Sequence, residues 1–388
     1  MLKKITYFTS SERLIIGITA GIFSPLIPLI ASDLKVGLEY IGTVISLSTI
    51  GLLFIALFIG NLIDILGFKR VIILGIILIL LGEIGLFFSH SYLILIIFYF
   101  ILSSGLGIID ISTLSLVGYF SSENKLKNLI KTSIAYVIGD VIAPLLISLI
   151  LKIRLTWQFI YIYLIIPQII MVIILFFIKI PEKNRTSRSI RIIFQNNKII
   201  FKRPFFLLYC FSILIYISLL TTFSTWFTTY FTGLNIELSL SSIFLSIYML
   251  SLLLGLILKN YLVSFIKEKK LLVISLFLSL VFFILIILIN IIVIKIILIF
   301  LFGLSISGGF IIIYSLSLDV GGEHINIASS LIFLFNYAGV IIFQFLSGYL
   351  SEHFSKNSIL YIDVVLLFLL FTFLMIIYNK SKPAKNMI

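Results

Sequence analysis

"GNLIDILGFKR", residues 60 to 70, sets an acid, two bases and two glycines between two long apolar runs. Around it lies a chain of 388 residues that is 61% hydrophobic and only 11% charged, with a mean hydropathy of +1.29. A soluble domain cannot cover its surface with so few polar groups, so the chain reads as an integral membrane protein. Apolar runs of roughly 18 residues or more recur along it, each long enough to cross a hydrocarbon core of about 30 Å. They predict twelve spans, at 14–31, 40–60, 71–89, 92–118, 132–151, 156–180, 205–231, 238–258, 271–290, 295–318, 327–350 and 358–378. The opening "MLKK…LIIGITAGIFSPLIPLIA" is shaped like a signal peptide, but it lacks a small-residue cleavage site and a second span follows directly, so it is read as span 1.

The quoted stretch is then the connector between spans 2 and 3. With the N-terminus in the cytoplasm, 23 of the 28 lysines and arginines fall on the inner side: Lys3, Lys4 and Arg13 in the N-terminal tail, Lys69 and Arg70 here, and the rest in loops 4/5, 6/7 and 8/9 and the C-terminal tail. Lys35, Lys152, Arg154, Lys295 and Lys356 fall outside. The positive-inside rule therefore predicts a multi-pass protein of the cell (inner) membrane with both termini cytoplasmic. The net charge of +13 needs no nucleic acid. Its largest share sits in "IPEKNRTSRSIRIIFQNNKIIFKRP" (180–204), a linker suited to an anionic bilayer surface, whose "SIRIIF…KIIF" could lie in the interface as an amphipathic helix. That connector divides the chain into a six-span bundle at 1–180, a linker at 181–204 and a second bundle at 205–388.

The two bundles look duplicated. A shift of 200 residues sets "NYLVSFIKEKK" (260–270) under the opening stretch, keeping leucine at 62 and 262 and the basic pair at 69/70 and 269/270. Spans 4 and 10 share small-residue clusters, "SSGLG" (103–107) and "SISGG" (305–309). Internal repeats joined by short loops are how many transporters are built. The expected fold is all-α: twelve transmembrane helices in two pseudo-symmetric six-helix bundles.

Cys210 is the only cysteine, so no intramolecular disulfide or cysteine-based metal site is possible, and His90, His324 and His353 all lie at span ends or in loops. No metal or cofactor is expected.

Three acids within spans stand out: Glu83, Asp110 and Asp140. An ionisable group at membrane depth is costly enough to be a functional candidate. Asp110 and Asp140 both stand about 12 Å above the inner ends of their spans, and no basic residue is placed mid-span to pair with them. Ser103, Gly107, Asp110 and Thr113 share one face of span 4. Ser133, Tyr136, Asp140 and Ala143 share one face of span 5. All three acids are candidates for proton coupling; a structural hydrogen bond is the alternative for each.

Candidate solute contacts are polar residues on the remaining spans. "TTFSTWFTTYF" (221–231) surrounds Trp226 with hydroxyls, Thr225 among them. Hydroxyls beside an aromatic face suit a sugar, although an interfacial aromatic belt reads the same way. Tyr136, Ser305, Asn336, Tyr337 and Gln344 complete the set, with polar glue between helices as the alternative.

"GNLIDILGFKR" also resembles the loop 2/3 signature of the major facilitator superfamily, G-x-L-a-D-r-x-G-r-[KR]-x, on Gly60, Leu62, Asp64, Gly67, Lys69 and Arg70. The twelve-span, six-plus-six layout extends that resemblance to the whole chain. It implies a cytoplasmic clasp that closes in the outward-facing state and releases in the inward-facing one. The loop "SLDVGGEHIN" (317–326) has no lysine or arginine, and its Asp319 and Glu323 are expected to face Lys69 and Arg70. "YVIGDVIAPLL" (136–146) is similar to a degenerate form of the span 5 G-x-x-x-G-P motif of drug/proton antiporters. "GLGIID" (105–110), "NLIKTSIAYVIGDVIAPLL" (128–146), Trp157 and "STWFTTYF" (224–231) resemble the fucose-permease-like branch. That branch implies a carboxylate on span 4 and a polar residue on span 5 near solute and proton, positions held here by Asp110 and Asp140. Span 1 departs from it, offering Ser24, Pro25 and Pro28 but no acid.

The expectation is a monomeric secondary-active transporter working by alternating access in a lipid bilayer. Its first reading is proton-coupled uptake of a small polar solute such as a sugar; the alternative is proton-coupled efflux of lipophilic compounds. A scaffold or receptor would gain nothing from acids at membrane depth. No nucleophile and base stand at matched depth for an enzyme.

Overall fold

Most of the opening stretch is helix rather than loop. In the computed structural model α2 runs Leu38–Leu66 and α3 runs Phe68–Phe87, so the two are joined by Gly67 alone. Gly67 takes φ 80° and ψ 157°, a backbone conformation essentially confined to glycine. Its N–H donates to the Ile63 carbonyl (2.9 Å) and its own carbonyl accepts from Val71 (3.3 Å), so one residue ends the first helix and starts the second. A Cβ at Gly67 would meet nothing within 4 Å. Gly67→Ala should therefore cost about 1–3 kcal/mol of backbone strain with no steric part. Asparagine, which relieves only the αL region, should do no better than alanine; thermal unfolding of both variants in detergent checks this.

The structure describes residues 2–120, 125–152, 156–178, 180, 203, 205–321, 325–355 and 357–380. The remaining helices are α1 (Leu2–Leu34), α4 (Tyr92–Phe120), α5 (Lys125–Lys152), α6 (Gln158–Phe177), α7 (Phe206–Gly233), α8 (Leu238–Leu262), α9 (Glu268–Leu288), α10 (Ile292–Ile306), α11 (Gly309–Gly321), α12 (Ile325–His353) and α13 (Ser358–Lys380). Twelve stretches are long and apolar enough to cross a membrane, and no strand occurs among the described residues. The linker 181–204, Arg203 apart, lies outside the described residues.

Two boundaries differ from the sequence reading in ways that matter. Helix α1 begins at Leu2, not near residue 14, because Ile5, Phe8, Thr9, Glu12 and Ile16 repeat at helical spacing and are all buried. Glu12 and Arg13 thus belong to a span rather than to a tail. Span 10 is two helices, α10 and α11, broken at Ser307 and Gly308, where Gly308 has φ 70°.

Packing separates the chain into two compact units. The first holds residues 1–188 with 225–246 and 348–356; the second holds 189–224, 247–347 and 357–388. Glycines set the helix pairs of the first unit. A Cβ at Gly17 of α1 would stand 2.2 Å from the Tyr136 carbonyl oxygen of α5, and one at Gly139 of α5 the same distance from the Leu14 carbonyl of α1. Backbones meet directly along this seam. The Asp33 carboxylate closes one end of the unit, accepting from the Trp157 indole (2.9 Å) and from the Gln158 amide (3.2 Å). In the second unit Phe223, Tyr248, Phe283 and Phe302 form an edge-to-face and stacked aromatic core at centroid distances of 4.9–6.2 Å.

Candidate functional site

Asp110 is not unpartnered. Arg13, on the newly placed first turns of α1, sets Nη1 2.5 Å from Asp110 Oδ1 and 3.2 Å from the Asp110 carbonyl, while Nε donates to the Thr132 carbonyl at 3.1 Å. Taking Arg13 for a tail residue is what hid this counter-charge. Its guanidinium also lies 5.3 Å from the Tyr136 ring centroid, within cation–π range. The Arg13 side chain is buried (6% exposed) while that of Asp110 is 42% exposed, so the pair stands at the edge of the packed bundle.

Asp140 follows Tyr136 by one turn of α5. It is half-buried, makes no hydrogen bond or ion pair among the described residues, and has its Oδ1 where a Cβ on Gly21 of α1 would stand 2.7 Å away. Arg13 and Asp110 thus meet beside Tyr136, bringing together α1, α4 and α5, and Asp140 stands one turn further along α5. Of the two carboxylates, that of Asp110 is paired and that of Asp140 is not, among the described residues.

Glu83 is elsewhere, fully buried on the face α3 turns to the bundle core. Glu12 is also fully buried, on α1. All four of their carboxyl oxygens lack a hydrogen-bond partner among the described residues. Span 1 therefore does carry an acid, contrary to the reading that gave it only Ser24 and two prolines.

The candidate solute contacts divide. Trp226 has no exposed surface and packs against Gly348, where a Cβ would stand 3.1 Å from the indole. Ser24 donates to the Thr225 carbonyl at 2.9 Å and its own carbonyl accepts from Thr228 at 3.1 Å, so this hydroxyl run ties α7 to α1 within the first unit. Gln344 is buried; Ser305, Asn336 and Tyr337 are half-buried in the second unit. Of the loop cluster, Lys69 donates to the Phe176 (3.1 Å) and Ile178 (3.3 Å) carbonyls, capping the C-terminal end of α6 with a cation. Arg70 is exposed and Gly60 is helical. The side chains of Asp64 and Asp319, and Glu323 altogether, lie outside the described residues.

Besides Glu12 and Arg13, two ionisable groups escaped the sequence reading. Asp363 of α13 is fully buried and accepts from Thr222 of α7 at 2.6 Å. Lys259, assigned above to loop 8/9, is buried within α8. Helical periodicity carried both: Ile359, Asp363, Leu366 and Leu370 form one buried stripe, and Ser251, Gly255 and Lys259 follow one another at four-residue intervals.

Twelve stretches long and apolar enough to cross a membrane, with charged groups buried among them, mark a multi-pass membrane protein. The family model for the Major Facilitator Superfamily matches residues 13–343 and 232–386, and the chain belongs to that family. Among solved structures it is similar to a D-xylose–proton symporter (14% identity, TM-score 0.78, covering 96% of both chains). It is also similar to the nucleoside transporter NupG (16%, TM-score 0.79, covering 98% of this chain and 100% of that one). The E. coli fucose:proton symporter FucP aligns at 15% identity and a TM-score of 0.67, covering 96% and 98%. At such identities the likeness is one of fold. A search of curated proteins finds no match.

Proposed function

We propose that the chain is a secondary-active transporter that takes up a small polar solute, such as a sugar, together with protons by alternating access. The observation that carries this reading is Asp140, a carboxyl within a span that has no hydrogen-bond or ion-pair partner among the described residues, while Asp110 holds an arginine. An unpaired carboxyl at membrane depth, one turn from the Tyr136 ring against which that arginine lies, is suited to exchanging a proton. The named solutes of the xylose and fucose symporters are what recommend a sugar among polar solutes. In this reading Lys69 and Arg70, with Gly60, Asp64, Gly67, Asp319 and Glu323, are assigned to the cytoplasmic gate.

Proteoliposomes given a panel of sugars, other polar solutes and lipophilic cations, with internal pH recorded, test the proposal. Asp140→Asn is expected to lose solute-driven proton flux and proton-driven accumulation while keeping solute exchange down a gradient. Proton flux unchanged in that variant would make Asp140 structural. Asn336→Ala separates uptake of a polar solute, which should be lost, from efflux of lipophilic compounds, which should only shift in spectrum. Trp226→Ala cannot serve here, because a buried indole fails through packing in either case.

A further inference from the structure

The break between α10 and α11 exposes backbone groups that no turn of helix satisfies, and the chain supplies partners for them from two other helices. Lys259 Nζ of α8 donates to the Ser305 carbonyl at 2.6 Å and to the Ser307 carbonyl. Tyr216 of α7 donates its hydroxyl to the Ile306 carbonyl (2.7 Å) and accepts from the Gly309 N–H (3.1 Å). The Ser307 hydroxyl donates to the Leu252 carbonyl of α8 at 2.5 Å. Lys259 is 6% exposed and has no carboxylate partner among the described residues. Carbonyl oxygens at an unwound helix, converging on one positive charge, are the arrangement by which discontinuous membrane helices hold monovalent cations.

We propose that the break in span 10 is a monovalent-cation site that the protein fills with its own Lys259 ammonium. The lysine stem is fitted to the place: a Cβ on Gly308 would stand 3.3 Å from Lys259 Cδ, and one on Gly309 2.6 Å from the Tyr216 ring. Glycine at both positions keeps room for the amine and the phenol. Lys259 is a positioning residue, holding the last turn of α10 and the first of α11 at a fixed angle. Ser305, among the candidate solute contacts, lies on that last turn. The inference stands apart from proton coupling, since it concerns a fixed charge and not an exchanged one.

The test is chemical rescue in the purified full-length chain. Lys259→Ala should lower the melting temperature by roughly 5 °C, as expected for loss of a buried charge-assisted pair of hydrogen bonds. n-Propylammonium should restore most of that fall, because it brings back an N–H-bearing cation of the deleted size. Choline at equal ionic strength, which has no N–H, should restore none. Lys259→Met keeps the stem and should show the same fall. An unchanged melting temperature in either variant, or equal rescue by choline, overturns the proposal. Should neither variant fold, amine acylation of the native chain decides: Lys259 is expected to stay unmodified while the exposed Lys267 and Lys270 react, and full labelling at Lys259 overturns the idea. The thermal and labelling readouts require no transport, so their failure is distinct from failure of the symport reading.

Discussion

Gly139→Ala should leave no folded protein to assay. The added methyl would lie 2.2 Å from the Leu14 carbonyl oxygen and 2.8 Å from the Ile18 amide nitrogen, both backbone atoms of α1 that cannot rotate aside. Overpacking against movable side chains typically costs about 1–3 kcal/mol. Here relief requires α1 and α5 to separate along their length, so a cost of at least ~3 kcal/mol is expected, a large part of a membrane domain's whole stability. Size-exclusion profiles of the detergent-extracted variant check it, with aggregated or absent protein as the expected outcome. Gly17→Ala, facing the Tyr136 carbonyl at the same 2.2 Å, should behave alike. Gly67→Ala is the control: also glycine to alanine, but free of any contact, and expected to yield folded protein of reduced melting temperature.

Arg13→Ala should abolish transport while leaving the protein folded. Removing one partner of a fully buried ion pair costs about 3–5 kcal/mol because the other charge is left stranded. The Asp110 side chain is 42% exposed and so not fully buried, and about 1–3 kcal/mol is the expected loss, roughly a tenfold to hundredfold effect. Transport falls further than stability in the proposed mechanism, since Asp110 is then left without its guanidinium. Arg13→Lys keeps the charge but loses the fork that reaches the Asp110 carboxylate, the Asp110 carbonyl and the Thr132 carbonyl at once, so it should restore stability better than transport. Initial rates in proteoliposomes, set beside thermal melts of the same preparations, separate the two effects. Arg13→Ala with full transport would remove the ion pair from the mechanism.

The sequence made the membrane class, the number of spans and the family legible, because apolar run length and the 60–70 motif are local signals. It singled out Asp110 and Asp140; the structure gives the first an arginine and sets the second one turn beyond Tyr136 on α5. What it lost were charges on the amphipathic ends of helices. Arg13 and Lys259 were assigned to tail and loop because a hydropathy window ends a span at its first cluster of polar residues, whereas the helix continues. The buried stripe Ile5, Phe8, Thr9, Glu12, Ile16 carried the information at helical period. The break in span 10 had a signal too, two adjacent glycines, but glycines also mark close helix packing, and only the φ of 70° at Gly308 distinguishes the two uses. Trp226 reads the same in sequence whether it meets a solute or fills a core, since an aromatic among hydroxyls serves either purpose.

The glycine-lined contact of α1 with α5 has a bearing on how charge can be redistributed. Arg13 rides on α1, and Tyr136 and Asp140 ride on α5, two rods with no slack between their backbones. These three side chains are in effect fixtures on a single girder. Asp110 is mounted on α4, across a different joint, so the ion pair is one fastening between the girder and the rest of the frame, alongside the hydrogen bonds at Asp33 and Ser24. In the proposed mechanism, a proton taken up or given away at one carboxyl becomes leverage on that fastening.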